Sequence, residues 1–173
     1  EVFATVAATE RHHDLVAAAA DLPWHVVDDT LLADIADAVS PQGVVARCVS
    51  VIQSLDDVLA LKPTSVVVCA DIRDPGNAGA VIRCADAAGA DAVIFAGDSV
   101  DPLNPKAVRA TVGSLFHMPI AVDRDVAGVL SAVQAAGMQV LAADGGGDLL
   151  LDDAPLELPT AWLMGNEAWG LPE

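Results

Sequence analysis

Residues 65–70, Ser65-Val66-Val67-Val68-Cys69-Ala70, form a continuous apolar run with no polar alternation, which a strand adopts when both of its faces are buried. Such a strand needs helices on both sides of its sheet. The rest of the chain agrees, because apolar runs rich in β-branched residues alternate with Ala-rich stretches, the βαβα pattern of a parallel sheet covered by helices. With 54% hydrophobic residues and a mean hydropathy of +0.48 over 173 residues, the chain has enough apolar material for a core, and disorder is excluded. No apolar run approaches the roughly 20 residues that span a bilayer, and no cationic stretch followed by an apolar segment opens the chain. The expectation is a soluble cytoplasmic protein without a membrane partner.

Turn and cap signals divide the pattern. Val2–Val6 reads as a strand, Thr9–Ala20 as a helix capped by Thr9, Trp24–Val27 as a strand, Asp29–Ala38 as a helix and Gly43–Val51 as a strand. After a helix near Ser54–Leu61, Lys62-Pro63-Thr64 ends the helix and resets the chain, so residues 1–61 are expected to form a small α/β domain and 62–173 a second domain. In the second domain, strand 65–70 leads through the loop 71–77 to a helix Ala78–Ala88 stopped by Gly89, then to a strand Asp91–Ala96. A helix near Pro105–Val112, a strand Met118–Val122, a helix Val126–Ala136 closed by Gly137, and strands Met138–Ala143 and Ala161–Met164 follow. The chain begins at Glu1 on a strand-like run and closes at Leu171-Pro172-Glu173 just after a Gly-rich turn, so it reads as a piece cut at both ends, its second domain truncated at the C-terminus.

Open parallel sheets place ligands at the C-terminal ends of their strands, and three such loops carry unusual residues: 71–77, 144–147 and 165–170. The first joins Asp74-Pro75-Gly76-Asn77 to a helix start, followed by Arg83. Asn77 and Arg83 are six apart, roughly 240° round a helix, so they share a face only if Asn77 sits in the loop or cap, where it is placed. The plainer reading is an N-cap Asn and a surface Arg paired with Asp86 at i+3. The second loop, Asp144-Gly145-Gly146-Gly147, lacks the spacing of a dinucleotide fingerprint; it permits close backbone approach to a ligand or is simply a surface turn. The third, Gly165-Asn166-Glu167-Ala168-Trp169-Gly170-Leu171, sets a carboxylate and an amide between glycines; Trp169 is expected to pack on the core in preference to stacking on a ligand. Lys106 and Arg109, at i and i+3, make a compact cationic edge suited to phosphate.

The net charge of −17, from 25 acids and 8 bases, argues against a general electrostatic grip on nucleic acid. Yet Arg73, Arg83, Lys106 and Arg109 lie in one short stretch. Cys48, Cys69 and Cys84, an odd number within apolar runs and without a CxxC pair, read as buried thiols. His12, His13, His25 and His117 lack ligand spacing, so no metal is assigned, and no G-x-S-x-G elbow surrounds Ser114 to support a hydrolase with His117.

Three segments together resemble the signature of the SpoU (TrmH-like) ribose 2′-O-methyltransferases of the SPOUT class, which use S-adenosylmethionine. They are Asp74 to Ala90, Asn104 to Pro119 and Gly165 to Leu171, in order over about residues 64–173. The N-terminal unit is similar in character to the small ribosomal-protein-like RNA-binding domain of many members. The resemblance implies a SPOUT-type α/β fold with a trefoil knot and a homodimer acting on RNA. It makes Arg83 the catalytic arginine that helps activate the ribose hydroxyl, with Asn77 shaping the pocket and Glu167 steadying the site. Ser114, Arg109 and Lys106 would engage RNA, and the segments at Ala143, Asp144 and Gly145 and at Met164, Gly165 and Asn166 would hold S-adenosylmethionine. The family's third motif continues into an Ile-Pro segment and a Ser-Leu-Asn-Val run, before which this sequence ends. The N-terminal unit favours 23S ribosomal RNA over tRNA as substrate. A non-catalytic RNA-binding module of the same fold and a small-molecule-binding α/β protein are the rival readings.

Overall fold

The computed structural model describes every residue except Asp37, Val39, Asp148, Glu167, Pro172 and Glu173. The expected helix Asp29–Ala38 runs over Asp37 at its end, which lies outside the described residues. Two compact units are present, Glu1–Ser50 and Val51–Glu173.

In the first unit, β1 (Val2–Thr5) pairs parallel with β2 (Trp24–Val27) and antiparallel with β3 (Val44–Ala46), with α1 (Val6–Arg11), α2 (His13–Ala18) and α3 (Asp29–Ala36) between them. The single helix expected from Thr9 is replaced by two short ones. Thr5 is the cap: its side chain accepts from Ala8 N at 3.1 Å, while the Thr9 hydroxyl, inside the helix, donates back to the Thr5 carbonyl at 2.9 Å. The strand expected over 43–51 is confined to β3, because only those residues find partners on β1. Phe3 and His25, opposite each other in the register, stack with ring centroids 5.0 Å apart.

The second unit starts earlier than the Lys62-Pro63-Thr64 break. β4 (Ile52–Gln53) pairs with β7 (Ile120–Asp123), which assigns it and α4 (Leu55–Ala60) to this unit and not to the first. The remaining elements are β5 (Ser65–Ala70), α5 (Pro75–Ala88), β6 (Ala92–Ala96), α6 (Pro105–Ala110), α7 (Val126–Ala135), β8 (Gln139–Ala143) and β9 (Thr160–Met164), with 3-10 turns at Ser114–Phe116 and Leu151–Asp153. All six strands run parallel in the order β4-β7-β6-β5-β9-β8. The apolar run reads out as expected: Val66, Val68 and Ala70 join one core with Val129 and Val133 of α7, and Val67 and Cys69 join the other with Ile82 and Ala85 of α5. Helices cover both faces of the sheet.

Details of the termini differ from local propensity. α6 stops at Ala110 and not at Val112, since the buried Thr111 hydroxyl donates to the Val108 carbonyl at 2.7 Å and Val112 turns left-handed at φ 53°. A β-branched residue in that region stores strain of about 1–3 kcal/mol. Gly79 lets α5 and α6 meet, for a Cβ there would lie 2.6 Å from the Ala107 carbonyl oxygen. Of the three cysteines expected to be buried, only Cys69 is; Cys48 and Cys84 are exposed, because they fall on outward positions of a loop and of α5.

Asp91 fastens the entry of β5. Its Oδ2 accepts from Thr64 N at 2.7 Å, Thr64 Oγ1 at 3.0 Å and Ser65 N at 3.0 Å, and these bonds, the backbone ones foremost, hold its carboxyl below the usual range. A depressed folded-state pKa stabilises above the unfolded carboxylate value and loses that contribution as pH falls through the folded one. Asp91→Ala is therefore expected to cost about 1 kcal/mol at neutral pH, the small figure reflecting solvent screening. In urea titrations the gap to the native protein should shrink once pH drops below about 3.9. A gap that stays constant into acid would show that the carboxylate's charge is not what holds the turn.

Candidate functional site

Strand order places a switch point in the sheet between β5 and β9: from β5 the chain proceeds outward through β6 and β7, while β9 and β8 lie on the other side. Ligands of open parallel sheets bind in the crevice at such a point, beyond the strands' C-terminal ends. The loops after β5 and β9, residues 71–74 and 165–170, meet there.

Their meeting is fixed by one side chain. Asn166, 6% exposed, donates from Nδ2 to the Asp71 carbonyl at 2.7 Å and accepts at Oδ1 from Ala168 N at 2.8 Å. Its backbone exchanges two hydrogen bonds with Gly170, at 2.7 and 2.9 Å, which closes the turn 166–170. Asp71, at φ 58°, is itself tied to β6, its N–H on the Ala96 carbonyl and its Oδ1 accepting from Asp98 N at 2.7 Å. Gly165 sits against the closing residue, so that a Cβ there would press on the Gly170 carbonyl and lie 2.6 Å from Leu171 N. Glu167 lies outside the described residues.

The helix after β5 starts earlier than expected. Asp74 is its cap, accepting at Oδ1 from Asn77 N at 2.9 Å, with Pro75 in the first turn, where its missing N–H costs nothing. Asn77 is thus a first-turn helical residue and not the cap, and stands about 120° round the helix from Arg83. The two do not share a face. The Asp74 carboxyl is held below its ordinary range by the Asn77 N–H and by Lys106, whose Nζ lies 3.3 Å from Oδ2.

Nor does Asp86 pair with Arg83 at i+3. Asp86 instead faces the segment after α6, where the buried Ser114 hydroxyl, and then His117 with Nδ1 at 3.3 Å, hold its carboxyl below the usual range. Ser114, expected to engage RNA, is buried and bonds Asp86, joining α5 to the second motif. The exposed Arg83 guanidinium makes no ion pair among the described residues. Arg109 is likewise exposed, in the last turn of α6. Lys106 and Arg73 are exposed as well, in ion pairs with Asp74 and Asp98 at 3.3 and 3.6 Å, and such pairs are weak enough in water to yield to a phosphate. Four of the chain's eight basic residues thus lie in the stretch 73–109, all of them exposed.

Beside the crevice runs a groove of about 610 Å³, lined by Ala143, Asp144, Gly145, Leu149, Leu151 and Met164 among others. The Gly145 Cα faces open space, with nothing within 4 Å of where a Cβ would stand, and Asp144 Oδ1 accepts from Gly146 N at 2.8 Å. Apolar walls beside bare backbone suit a flat heterocycle with a polar edge, and the adjacent carboxylate suits a cation. The residues present fit an adenosyl sulfonium. Gly165 and Asn166, expected at the same ligand, form the neighbouring turn. Among the described residues no group of three or more His, Cys, Asp or Glu side chains is placed to hold a metal ion, and no helix is long and apolar enough to cross a membrane.

Trp169 was missed as an exposed group. Expected to pack on the core, it is 57% exposed, with the Arg73 guanidinium carbon 5.2 Å from its ring centroid, because the Asn166–Gly170 closure turns it outward.

Comparison with known proteins gives a consistent picture. The family model described as "SpoU rRNA Methylase family" matches residues 64–173. The chain is 31% identical over 152 residues to the 23S rRNA (guanosine(2553)-2′-O)-methyltransferase RlmP of Bacillus subtilis, covering 85% of this chain and 57% of that protein. It is 40% identical over 102 residues to the 23S rRNA (uridine(2479)-2′-O)-methyltransferase of Streptomyces viridochromogenes, covering 56% and 36%. Among solved structures it resembles the SpoU methyltransferase AviRb from S. viridochromogenes, with TM-score 0.83, 28% identity and coverage of 99% and 66%. An AdoMet-bound rRNA methyltransferase from Sinorhizobium meliloti gives TM-score 0.75 at 31% identity, with coverage of 99% and 64%. The chain spans less than two thirds of the length of these relatives.

Proposed function

The chain belongs to the SpoU rRNA methylase family, and from that premise we propose that the protein is an S-adenosylmethionine-dependent RNA ribose 2′-O-methyltransferase acting on 23S ribosomal RNA. The observation that carries the reading is the Asn166–Asp71 bond at the β5/β9 switch point, which ties the third motif to the loop leading into the first, beside a groove that suits the methyl donor. The named activities of the relatives in Bacillus and Streptomyces, both 2′-O-methylation of 23S rRNA, support the substrate. We further infer a cytoplasmic homodimer whose methyltransferase domain is of the trefoil-knot class, and an N-terminal unit that helps deliver RNA.

A ribose hydroxyl is a weak nucleophile at neutral pH and must lose its proton as it attacks. S-adenosylmethionine held in the groove would supply an electrophilic methyl on its sulfonium, the O–C bond forming as the S–C bond breaks, and the hydroxyl proton would pass to solvent or an RNA phosphate. The chain's part is alignment and charge. Arg83, permanently protonated, is the group suited to stabilise oxyanion character on the ribose oxygen. Lys106 and Arg109 hold the flanking phosphates, and Asp86, engaged by Ser114 and His117, fixes α5 so that Arg83 keeps its direction. Ala143, Asp144, Gly145 and Met164 hold the donor, while Gly165 and Asn166 shape the turn beside it.

The test is transfer of a labelled methyl group to unmodified 23S rRNA and, in parallel, to tRNA. The expected product carries its label at an alkali-resistant linkage in 23S rRNA, since methylation removes the 2′-oxygen nucleophile on which alkaline cleavage depends. Label confined to tRNA would reassign the substrate, and no label in either RNA would overturn the enzyme.

A further inference from the structure

The hydrogen bonds that close the turn 166–170 come from Asn166, Ala168 and Gly170 and not from Trp169. Asn166 and Gly170 make the closure through their backbone bonds, Asn166 anchors it to Asp71, and the indole stands outward. The Arg73 guanidinium carbon lies over the ring, 5.2 Å from its centroid, and Arg73 also pairs with Asp98 at 3.6 Å. The rest of the ring contributes to a residue exposure of 57%. A large aromatic side chain left in water at the rim of a crevice, and already oriented by a cation, loses little further freedom when a second planar group stacks on it.

The neighbourhood selects the kind of planar group. Arg73, just before the first motif, and Lys106 and Arg109, in the second, offer exposed cations to an anionic ligand, those of Arg73 and Lys106 by exchange with Asp98 and Asp74. Flat faces on an anionic chain describe an unpaired nucleotide strand. Proteins that read single-stranded RNA stack its unpaired bases on aromatic rings and on Arg planes.

We propose that Trp169, oriented by Arg73, is a stacking platform for an unpaired base of the RNA substrate, next to the nucleotide whose ribose is modified. The proposal rests on the RNA methyltransferase reading above. Stacking on an aromatic side chain tolerates any base, so the platform contributes affinity and strand placement more than sequence choice.

The experiment compares the full-length protein with Trp169→Ala and Trp169→Phe, measuring binding of an unmodified 23S rRNA transcript, binding of S-adenosylmethionine, and methyl transfer. Removing one stacked base is expected to weaken RNA binding by about tenfold or more, and the phenyl ring should restore most of it. Donor affinity should stay within about twofold of the native value, since Trp169 is not among the residues that line the donor groove. Trp169→Ala binding RNA as tightly as the native protein overturns the platform, as does equal loss in both variants. Parallel loss of donor binding would also overturn it, by showing that the ring only supports the turn. Native protein that binds the transcript without methylating it refutes the enzyme reading while the binding comparison still decides the platform. Native protein with no affinity for the transcript overturns both.

Discussion

Arg83→Ala is expected to lower the methyl-transfer rate by about 10²–10³-fold while leaving affinity for S-adenosylmethionine nearly unchanged. The size follows from the chemistry: the attacking ribose oxygen gains negative charge only as the reaction proceeds, so a guanidinium aimed at it stabilises the transition state more than the bound ground state. The structure bears on the availability of that charge. Had Asp86 paired with Arg83 one turn away, the guanidinium would be partly neutralised, but Asp86 is taken by Ser114 and His117. Arg83→Lys keeps the charge and loses the planar fork, so it should recover only part of the rate. Single-turnover kinetics at saturating donor and RNA makes the comparison. An Arg83→Ala enzyme within threefold of the native rate would remove this residue from the chemistry.

Gly165→Ala should be nearly as damaging by a different route. The added methyl meets backbone, the Gly170 carbonyl and Leu171 N, which no rotamer change can relieve. Overpacking of this kind costs about 1–3 kcal/mol, and here the cheapest relief is opening of the turn 166–170. The six-stranded sheet does not depend on that turn, so the thermal midpoint should fall by only a few degrees. Activity should drop by about 10²-fold or more, because the Asn166–Asp71 bond that holds the third motif against the loop leading into the first is lost with the turn. The methyl-transfer rate, together with the unfolding midpoint, separates the outcomes: full activity with an unchanged midpoint would show that the turn accommodates a side chain and that its closure is not needed.

Much of the site was legible from local sequence. Asp74-Pro75-Gly76 announces a helix start, and the cap proved to be Asp74, three residues before the Asn77 chosen for it, because Asp reaches the N–H three residues on while Pro occupies the first turn. The cationic stretch was likewise visible, as was the Gly-rich loop 144–147 that borders the groove. What local reasoning misplaced were residues whose partners are remote. Asp86 has a plausible neighbour at i−3 yet bonds His117, 31 residues on. Trp169 looks like core by composition, and only the closure of its turn on Asn166 turns it outward.

The sequence by itself determined that the second unit is a parallel sheet covered on both faces, since the doubly apolar strand 65–70 has no other stable environment and burial energy follows from composition alone. It also determined where loops follow strands, because caps and left-handed glycines such as Gly89 act within a few residues. Only the tertiary structure decided which of those loops meet. The order of strands is set by packing among elements far apart in the chain, and it puts Asp71 and Asn166, 95 residues apart, within hydrogen-bonding reach. Likewise, the boundary between the two units is set by the pairing of Ile52 with Ile120, a choice between partners that no local signal encodes.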